Sequence, residues 1–210
     1  FQINQFLGDF EKILSSNESH FFGLIVYVPG NEEQSSDKKI DIIDGQQRLT
    51  TVIIFLSVIK DFLCDLCENE KDNLTARDLT MVNFDFNTIL QILKKQPFTM
   101  GQRSQCRLLT KNESKFEKEF LDIIQMSMNC YTDQSKAPLK NYMQMNKKSS
   151  LEAKEHYMLS LGNRNTTKSK NSLKNYKLIW EWCEKFMKTN QADNAVKKYN
   201  ELSKYHKAIL

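Results

Sequence analysis

The chain has 210 residues, 40% of them hydrophobic, so it can bury a core and form one domain or two unequal ones. Its 6 Gly and 3 Pro indicate a mostly helical protein, and no apolar run is long enough to span a bilayer, so no membrane partner is expected. The net charge of +4 combines 14 Lys and Arg against 20 Asp and Glu in residues 1–135 with 16 against 6 in residues 136–210.

The first predicted elements are a helix and two strands. Apolar residues from Ile3 to Leu14 recur at helical spacing. The nearly continuous apolar run from Phe21 to Val28 predicts a strand that is covered on both faces. A β-branched run at residues 39–43 is predicted to pair back on it, antiparallel, across a polar loop at residues 29–39.

The next stretch is predicted to be a tight turn followed by a long helix. Asp44 and Gly45 form a turn dipeptide, because Gly adopts a positive φ without a steric penalty. From Gln47 onward, apolar residues recur at helical spacing for about five turns. The small sheet would therefore present this turn at the start of the helix.

This junction has the chemistry of an anion site. The N-terminus of a helix carries partial positive charge and N–H groups that lack intrahelical acceptors. Arg48 adds a planar guanidinium that suits phosphate. Leu49, Thr50 and Thr51 lie in or near the first helical turn, and Gly45 would let a ligand approach the backbone closely.

The remaining polar residues of the turn suggest a metal ion and a water molecule. Asp44 is a candidate ligand for a divalent metal or a group that orients a water. Gln46 and Gln47 are neutral groups that both donate and accept hydrogen bonds. The alternative is structural, because strand–helix junctions commonly carry Asp, Gly and Thr as turn formers and caps, and Arg48 could simply pair with Asp44.

The cysteines and histidines do not follow the pattern of a metal site. Cys64 and Cys67 are three residues apart within the predicted helix and no second pair follows, so packing is favoured over zinc. The five cysteines are irregularly spaced, which favours a reducing, cytoplasmic location. His20, His156 and His206 are far apart and lack the spacing of a nuclease or zinc site.

Helices dominate the predictions for the rest of the chain. Thr75 is expected to cap a helix that continues to about Lys95, and residues 103–109 are a candidate strand. The polar segment at residues 162–171 is the best candidate for a linker or mobile loop. Further helices are predicted from Asn112, over residues 151–161, from Ser172 and over residues 192–210.

The eight residues Asp44-Gly45-Gln46-Gln47-Arg48-Leu49-Thr50-Thr51 resemble the signature of the DGQQR-motif family, whose named example is the S half of the GmrSD modification-dependent restriction enzymes. The segment from His20 to Val26 resembles the strand that precedes this signature, and the clear resemblance covers about residues 3–68. The family is similar in fold to ParB and sulfiredoxin. The resemblance thus implies an α+β fold with a small ParB/sulfiredoxin-like sheet core and a large, mostly helical remainder.

Two regions are expected on this basis: a nucleotide-binding core at residues 1–128 and a basic helical region at residues 129–210. In the family, a segment with a Tyr-Gln-Arg motif precedes the first helix, and the chain continues beyond the last helix. This sequence contains neither part, so we expect both ends to be truncated.

The resemblance implies an NTP-binding and NTP-hydrolysing module of a DNA-modification-dependent restriction or phage-defence system. We expect GTP, UTP, ATP or CTP with Mg²⁺ as the cofactor, and DNA and a nuclease domain or subunit outside this segment as partners. Hydrolysis would depend mostly on positioning and charge stabilisation. The expected catalytic residues are Asp44, Gln46, Gln47 and Arg48, with Asp44 also the metal ligand, and the expected nucleotide-binding residues are Gly45, Arg48, Leu49, Thr50 and Thr51.

Two other functions fit the same residues. A non-enzymatic module would use the nucleotide to gate a conformational change and would bind DNA through the basic C-terminal part. A helical interaction domain would use the turn only as a cap, and its lysines would form a solvated surface. The sequence contains neither a Walker-type phosphate loop nor a Gly-x-Ser-x-Gly elbow, which excludes those two enzyme classes.

Overall fold

A computed structural model of the chain describes residues 3–16, 23–29, 40–95, 105–106, 120–121, 123–124, 149–162 and 171–209. Six α-helices and four short strands lie in this part, which confirms the α+β class and the mostly helical composition. None of the helices described is long and apolar enough to cross a membrane. The elements are α1 (Ile3–Ser16), β1 (Val26–Pro29), β2 (Ile40–Asp44), α2 (Gln46–Asn69), α3 (Ala76–Leu93), β3 (Lys94–Lys95), β4 (Gln105–Cys106), α4 (Ser150–Gly162), α5 (Asn171–Thr189) and α6 (Ala195–Ile209).

The chain separates into two compact units, Phe1–Ile53 and Ile54–Leu210. The first unit holds α1, the hairpin of β1 and β2, and the beginning of α2. The second unit holds the rest of α2 and the described helices from α3 to α6. The boundary expected near residue 128 lies outside the described residues and stays a prediction.

The first helix follows the predicted apolar pattern. Ile3, Phe6, Leu7 and Phe10 are buried in α1, and the rings of Phe6 and Phe10 stack with their centroids 6.1 Å apart. The spacing of these residues places them on one face of the helix. The sequence prediction for this element is therefore confirmed.

The hairpin pairs as predicted, but its first strand begins only at Val26, so residues 23–25 of the predicted strand lie outside it, and the hairpin is not covered. β1 and β2 pair antiparallel, with Tyr27 opposite Ile42 and an irregularity between Val26 and Tyr27. The expectation of a strand covered on both faces is wrong, because every residue from 24 to 29 is exposed, including Leu24 at 69% and Tyr27 at 60%. A run of apolar residues shows only that the segment is hydrophobic. Burying both faces of the strand would need further strands or helices packed on the sheet, and among the described residues the sheet has only two strands, with residues 24–29 exposed.

The predicted cap of α3 is present. Thr75 Oγ1 accepts a hydrogen bond from the N–H of Asp78 at 3.2 Å, and Asp78 Oδ2 accepts one from the N–H of Thr75 at 3.0 Å. This reciprocal arrangement is a capping box, which satisfies N–H groups at the start of the helix. The helix then buries the predicted apolar residues Val82, Phe86, Ile89, Leu90 and Leu93.

Aromatic side chains of α5 and α6 fill the core of the second unit. Trp180 stacks on Phe62 of α2 at a centroid distance of 3.8 Å. Trp182 lies 5.0 Å from Phe186 and 5.6 Å from Tyr205, measured between ring centroids. These contacts tie the two C-terminal helices to each other and α5 to α2.

Two predicted helix starts are corrected by the structure. α5 begins at Asn171, so Ser172 lies inside the first turn and is not the cap, although serine is a residue type that suits a cap. α6 begins at Ala195, three residues later than predicted. Asn194 Oδ1 accepts the N–H of Lys197 at 3.0 Å and so caps that helix.

Several predictions fall partly or wholly outside the described residues. The candidate strand at residues 103–109 is described only at Gln105 and Cys106, where it pairs with Lys94 and Lys95. The predicted helix from Asn112 is described only near its end, where Phe120, Ile123 and Ile124 are buried. Residues 163–170 of the predicted linker are outside the described part.

Candidate functional site

The predicted strand, turn and helix lie where the sequence placed them. β2 ends at Asp44, α2 begins at Gln46, and Gly45 joins them with a φ of 88°. The N–H of Leu49 donates to the carbonyl of Gly45 at 3.0 Å, which makes Gly45 the capping residue of α2. The positive φ explains why glycine occupies this position.

Arg48 and Asp44 form an ion pair across this turn. Arg48 Nη2 donates to Asp44 Oδ2 at 3.2 Å. The Asp44 side chain is 67% exposed and that of Arg48 is 23% exposed. An exposed ion pair of this kind contributes about 0–1 kcal/mol to stability, because water and salt screen it. The pairing considered from the sequence therefore exists, and it leaves the carboxylate accessible.

Gly23 provides the surface on which Arg48 lies. Gly23 has a φ of 94°, and a Cβ built on it would lie 1.8 Å from Arg48 Nη1 and 3.0 Å from Arg48 Cζ. The guanidinium therefore occupies the space that any other side chain would need. Sequence reasoning missed this role, although a glycine inside an apolar strand-like run is itself a sign of a close approach.

Gly45 is enclosed on the side that a Cβ would occupy. A Cβ at Gly45 would lie 3.2 Å from the carbonyl oxygen of Leu24 and 3.3 Å from Ile25 Cα. The backbone of Leu24 and Ile25, just before β1, therefore lies directly over the turn. The role seen for Gly45 is structural, and a ligand contact with this residue stays a prediction.

The other predicted side chains brace the junction. Gln46 Nε2 donates to the carbonyl of Ile42 at 2.6 Å, which ties α2 to β2. Thr50 Oγ1 donates to the carbonyl of Gln46 at 2.8 Å, and Thr51 Oγ1 to that of Gln47 at 2.9 Å. Because the helix begins at Gln46, one residue earlier than predicted, residues 49–51 make hydrogen bonds inside it, and their contact with a nucleotide stays a prediction.

The exposed side chains at the turn limit the kind of metal site that fits. No group of three or more His, Cys, Asp and Glu that could hold a metal occurs among the described residues. Mg²⁺, however, is usually bound through one or two carboxylates together with substrate phosphates and water. The exposed carboxylate of Asp44 suits that arrangement, in which the nucleotide supplies the other ligands.

A second cluster of charged residues lies inside the second unit. Asp61, Lys60 and Lys154 are all fully buried. Asp61 accepts hydrogen bonds from Lys154 and, at 2.7 Å, from the hydroxyl of Tyr176, and its other oxygen is 2.7 Å from Lys60 Nζ. Burial would raise the pKa of Asp61, but the attraction of Lys154 and Lys60 outweighs it and holds the pKa well below its usual range.

Asp65 lies on the same helix and anchors the start of α4. Its carboxylate accepts hydrogen bonds from both the N–H and the hydroxyl of Ser150. Burial raises the pKa of Asp65 to about 6, although the two bonds from Ser150 oppose this shift. Together with the Asp61 cluster, this contact links α2 to α4 and α5, and its burial indicates a structural role.

A third polar cluster joins α3 to α6. Asp85 is buried and accepts hydrogen bonds from the hydroxyls of Tyr199 at 3.0 Å and Ser203 at 2.7 Å. His206 Nε2 lies 3.6 Å from Asp85 Oδ1. Burial lowers the pKa of His206 despite the attraction of Asp85, so this histidine is neutral near pH 7.

A groove of about 680 Å³ lies beside this cluster, lined by α3 and α6. Lys197 and Lys204 line it, but Lys197 pairs with Asp193 at 2.9 Å and Lys204 pairs with Glu201. These pairs neutralise part of the positive charge of the region. A DNA contact through the basic C-terminal part therefore stays a prediction from composition.

Comparisons with known proteins extend the resemblance seen in the sequence. No curated protein and no solved structure matches the chain at a significant level. The model of one family, described as GmrSD restriction endonuclease, N-terminal domain, matches residues 2–207. This match is much longer than the expected 3–68, and it includes the later helices, in which no motif was found. The chain therefore belongs to the family of GmrSD restriction endonuclease N-terminal domains.

Proposed function

We propose that the turn from Asp44 to Arg48 binds a nucleoside triphosphate with Mg²⁺ and supports its hydrolysis. Membership of the GmrSD family makes the chain part of a restriction and phage-defence system, which acts with a nuclease domain on DNA. Within such a system, the proposed step would couple nucleotide turnover to recognition of modified DNA. The ParB/sulfiredoxin-like sheet core belongs to the same proposal, with β1 and β2 as two of its strands.

One observation carries the proposal: Arg48 lies at the N-terminus of a 24-residue helix, beside an exposed carboxylate. The helix dipole and the guanidinium both favour negative charge at this place. Gly23 and Asp44 hold the guanidinium close to the backbone, so it is positioned before a ligand arrives. These features suit a phosphate better than a neutral ligand.

The geometry divides the proposed roles among the side chains. Arg48 would bind the phosphates, and Asp44 would hold Mg²⁺ together with phosphate oxygens. The metal would supply positive charge that offsets the charge developing on the transferred phosphoryl group. Gln46 and Gln47 are both exposed at the turn, and either would position the attacking water.

The first experiment is a thermal-shift series with ATP, GTP, CTP and UTP in the presence of Mg²⁺. We expect one nucleotide to stabilise the wild-type chain by about 2.7 kcal/mol at a hundredfold excess over Kd, which is a shift of a few degrees. Arg48→Ala should remove that shift. It should change the unfolding free energy of the ligand-free protein by less than about 1 kcal/mol, because the lost ion pair is exposed.

Arg77→Ala is the control, because Arg77, like Arg48, is an arginine in the first turn of a helix, but it lies in α3. It should keep the nucleotide-induced shift. Phosphate release then tests hydrolysis: Arg48→Ala should lower turnover by about 10²–10³-fold if the guanidinium stabilises the transition state. Binding without phosphate release would favour the nucleotide-gated module, and the absence of any shift would contradict the nucleotide site.

A further inference from the structure

We propose that Asp44 keeps Arg48 in a resting ion pair and that Mg²⁺ releases it, so that the site takes the magnesium complex of a nucleotide in preference to the metal-free nucleotide. This inference rests on the proposed function and deepens it. Besides acting as a metal ligand, Asp44 would have a second role: its carboxylate would oppose phosphate binding at Arg48 until a metal ion binds it.

Asp44 and a nucleotide would compete for the guanidinium of Arg48. Arg48 Nη2 lies 3.2 Å from Asp44 Oδ2, so this N–H group is already directed at a carboxylate. A metal-free triphosphate would have to displace that carboxylate while being repelled by its negative charge. The resting pair therefore opposes the binding of a free polyphosphate anion at the position where Arg48 would bind it.

Asp44 has a metal ion as an alternative partner. Its side chain is 67% exposed, so a hydrated metal ion reaches it without opening the fold. A carboxylate that binds Mg²⁺ no longer repels phosphate and no longer neutralises the guanidinium. The metal and the phosphates thereby bind with positive coupling, each removing an obstacle to the other.

Packing against Gly23 keeps the Arg48 guanidinium in place when Asp44 binds a metal ion. The guanidinium packs directly against Gly23 Cα, in the space where a Cβ would lie only 1.8 Å from Nη1. This contact does not depend on the charge of Asp44. Loss of the bond to the carboxylate therefore leaves the guanidinium against Gly23, at the turn where a phosphate would bind.

Isothermal titration calorimetry tests the inference with the nucleotide selected by the thermal-shift series, in EDTA and in Mg²⁺. The variant is Asp44→Asn, which keeps the shape of the side chain and removes its charge. We expect Asp44→Asn to bind the metal-free nucleotide at least tenfold more tightly than the wild type does. We also expect Mg²⁺ to raise the affinity of the wild type at least tenfold, and that of the variant by much less.

Asp9→Asn is the matched control, because Asp9 pairs with Lys12 at the same distance of 3.2 Å and is in the same unit. This control should reproduce both affinities of the wild type. The inference is overturned if Asp44→Asn binds the metal-free nucleotide no more tightly than the wild type while the wild type binds the magnesium complex. Failure of the wild type to bind with Mg²⁺ would overturn the proposed function as well, so the two failures are distinguishable.

Discussion

Asp44 with Arg48 and Asp61 with Lys60 and Lys154 are two carboxylate–cation groups built from the same chemistry in opposite environments. The first lies at the start of α2, with its carboxylate 67% exposed. In the second, Asp61 and Lys60 lie in the same helix and Lys154 lies in α4, and all three charged side chains are fully buried. Exposure allows the partners of Asp44 to change, whereas the partners of Asp61 are fixed by the fold.

The two groups should therefore contribute similar amounts to the free energy of unfolding while intact, but removing one charged partner should destabilise the buried group far more than the exposed one. An exposed pair is worth about 0–1 kcal/mol, because water replaces either partner. A buried pair need not add net stability, but removing one partner leaves an uncompensated charge in the core. A buried carboxylate such as Asp61 is therefore needed for the fold, whereas an exposed carboxylate such as Asp44 is accessible to a ligand.

The largest expected effect comes from Asp61→Asn. This change leaves Lys60 and Lys154 buried without their anion, and the expected loss is about 3–5 kcal/mol of unfolding free energy. Urea unfolding of wild type and variant gives the difference. Asp44→Asn is the control and should cost less than about 1 kcal/mol. Equal losses in the two variants would contradict the comparison between the buried and the exposed group.

A smaller effect is expected from the pH dependence of Asp65. Its pKa in the folded chain is about 6 against an ordinary value of 3.8, so the folded state holds the proton more tightly between these values. The contribution of Asp65 to stability is therefore complete below about pH 3.8 and is lost as the pH rises through 6. The shift corresponds to roughly 3 kcal/mol at most.

Asp65→Asn removes this dependence. Between pH 4.5 and 7.5, approximately, the stability of the variant should therefore rise relative to that of the wild type, as measured by urea unfolding at both pH values. Asp193→Asn is the control, because the bond from Lys197 lowers the pKa of Asp193, so its titration lies below this pH range and its difference from the wild type should stay constant. If the difference in unfolding free energy between Asp65→Asn and the wild type stayed constant with pH, the pKa of Asp65 would be the same in the folded and unfolded states.

The smallest expected effect comes from replacing the glycine beneath Arg48. Gly23→Ala forces an L side chain into a positive φ, which costs about 1–2 kcal/mol, and its methyl group displaces the guanidinium. The nucleotide-induced thermal shift should fall as it does in Arg48→Ala. Gly8→Ala is the control, because Gly8 lies in α1 with nothing within 4 Å of the position that a methyl group would occupy, and it should stabilise by about 0.5–1 kcal/mol.

The parts of the fold that depend on local rules could be predicted from the sequence. Thr75 and the apolar residues at helical spacing indicated α3 and its cap. The apolar run at residues 21–28 indicated the hairpin pairing but not its exposure, because coverage depends on how distant segments pack. The predicted cap at Ser172 was wrong, because a residue type that suits a cap does not fix the exact residue at which a helix begins.

The candidate site was only partly predictable for the same reason. The turn at Gly45 follows from the conformational freedom of glycine, and its place at a helix start follows from periodicity. The position of Gly23 beneath Arg48 is a contact between residues far apart in sequence, which no local pattern specifies. Likewise, the burial of Lys154 depends on an anion supplied by another helix.

The hydrogen bond from Gln46 restricts the chemical identity of the first residue of α2. Its Nε2 donates to the carbonyl of Ile42 at 2.6 Å. A glutamate has the same length but would direct a second acceptor at that carbonyl, whereas an asparagine is one methylene shorter. Deamidation of this side chain would therefore remove the hydrogen bond that joins Gln46 at the start of α2 to Ile42 of β2, and storage of a sample would change this junction chemically without any change in its sequence.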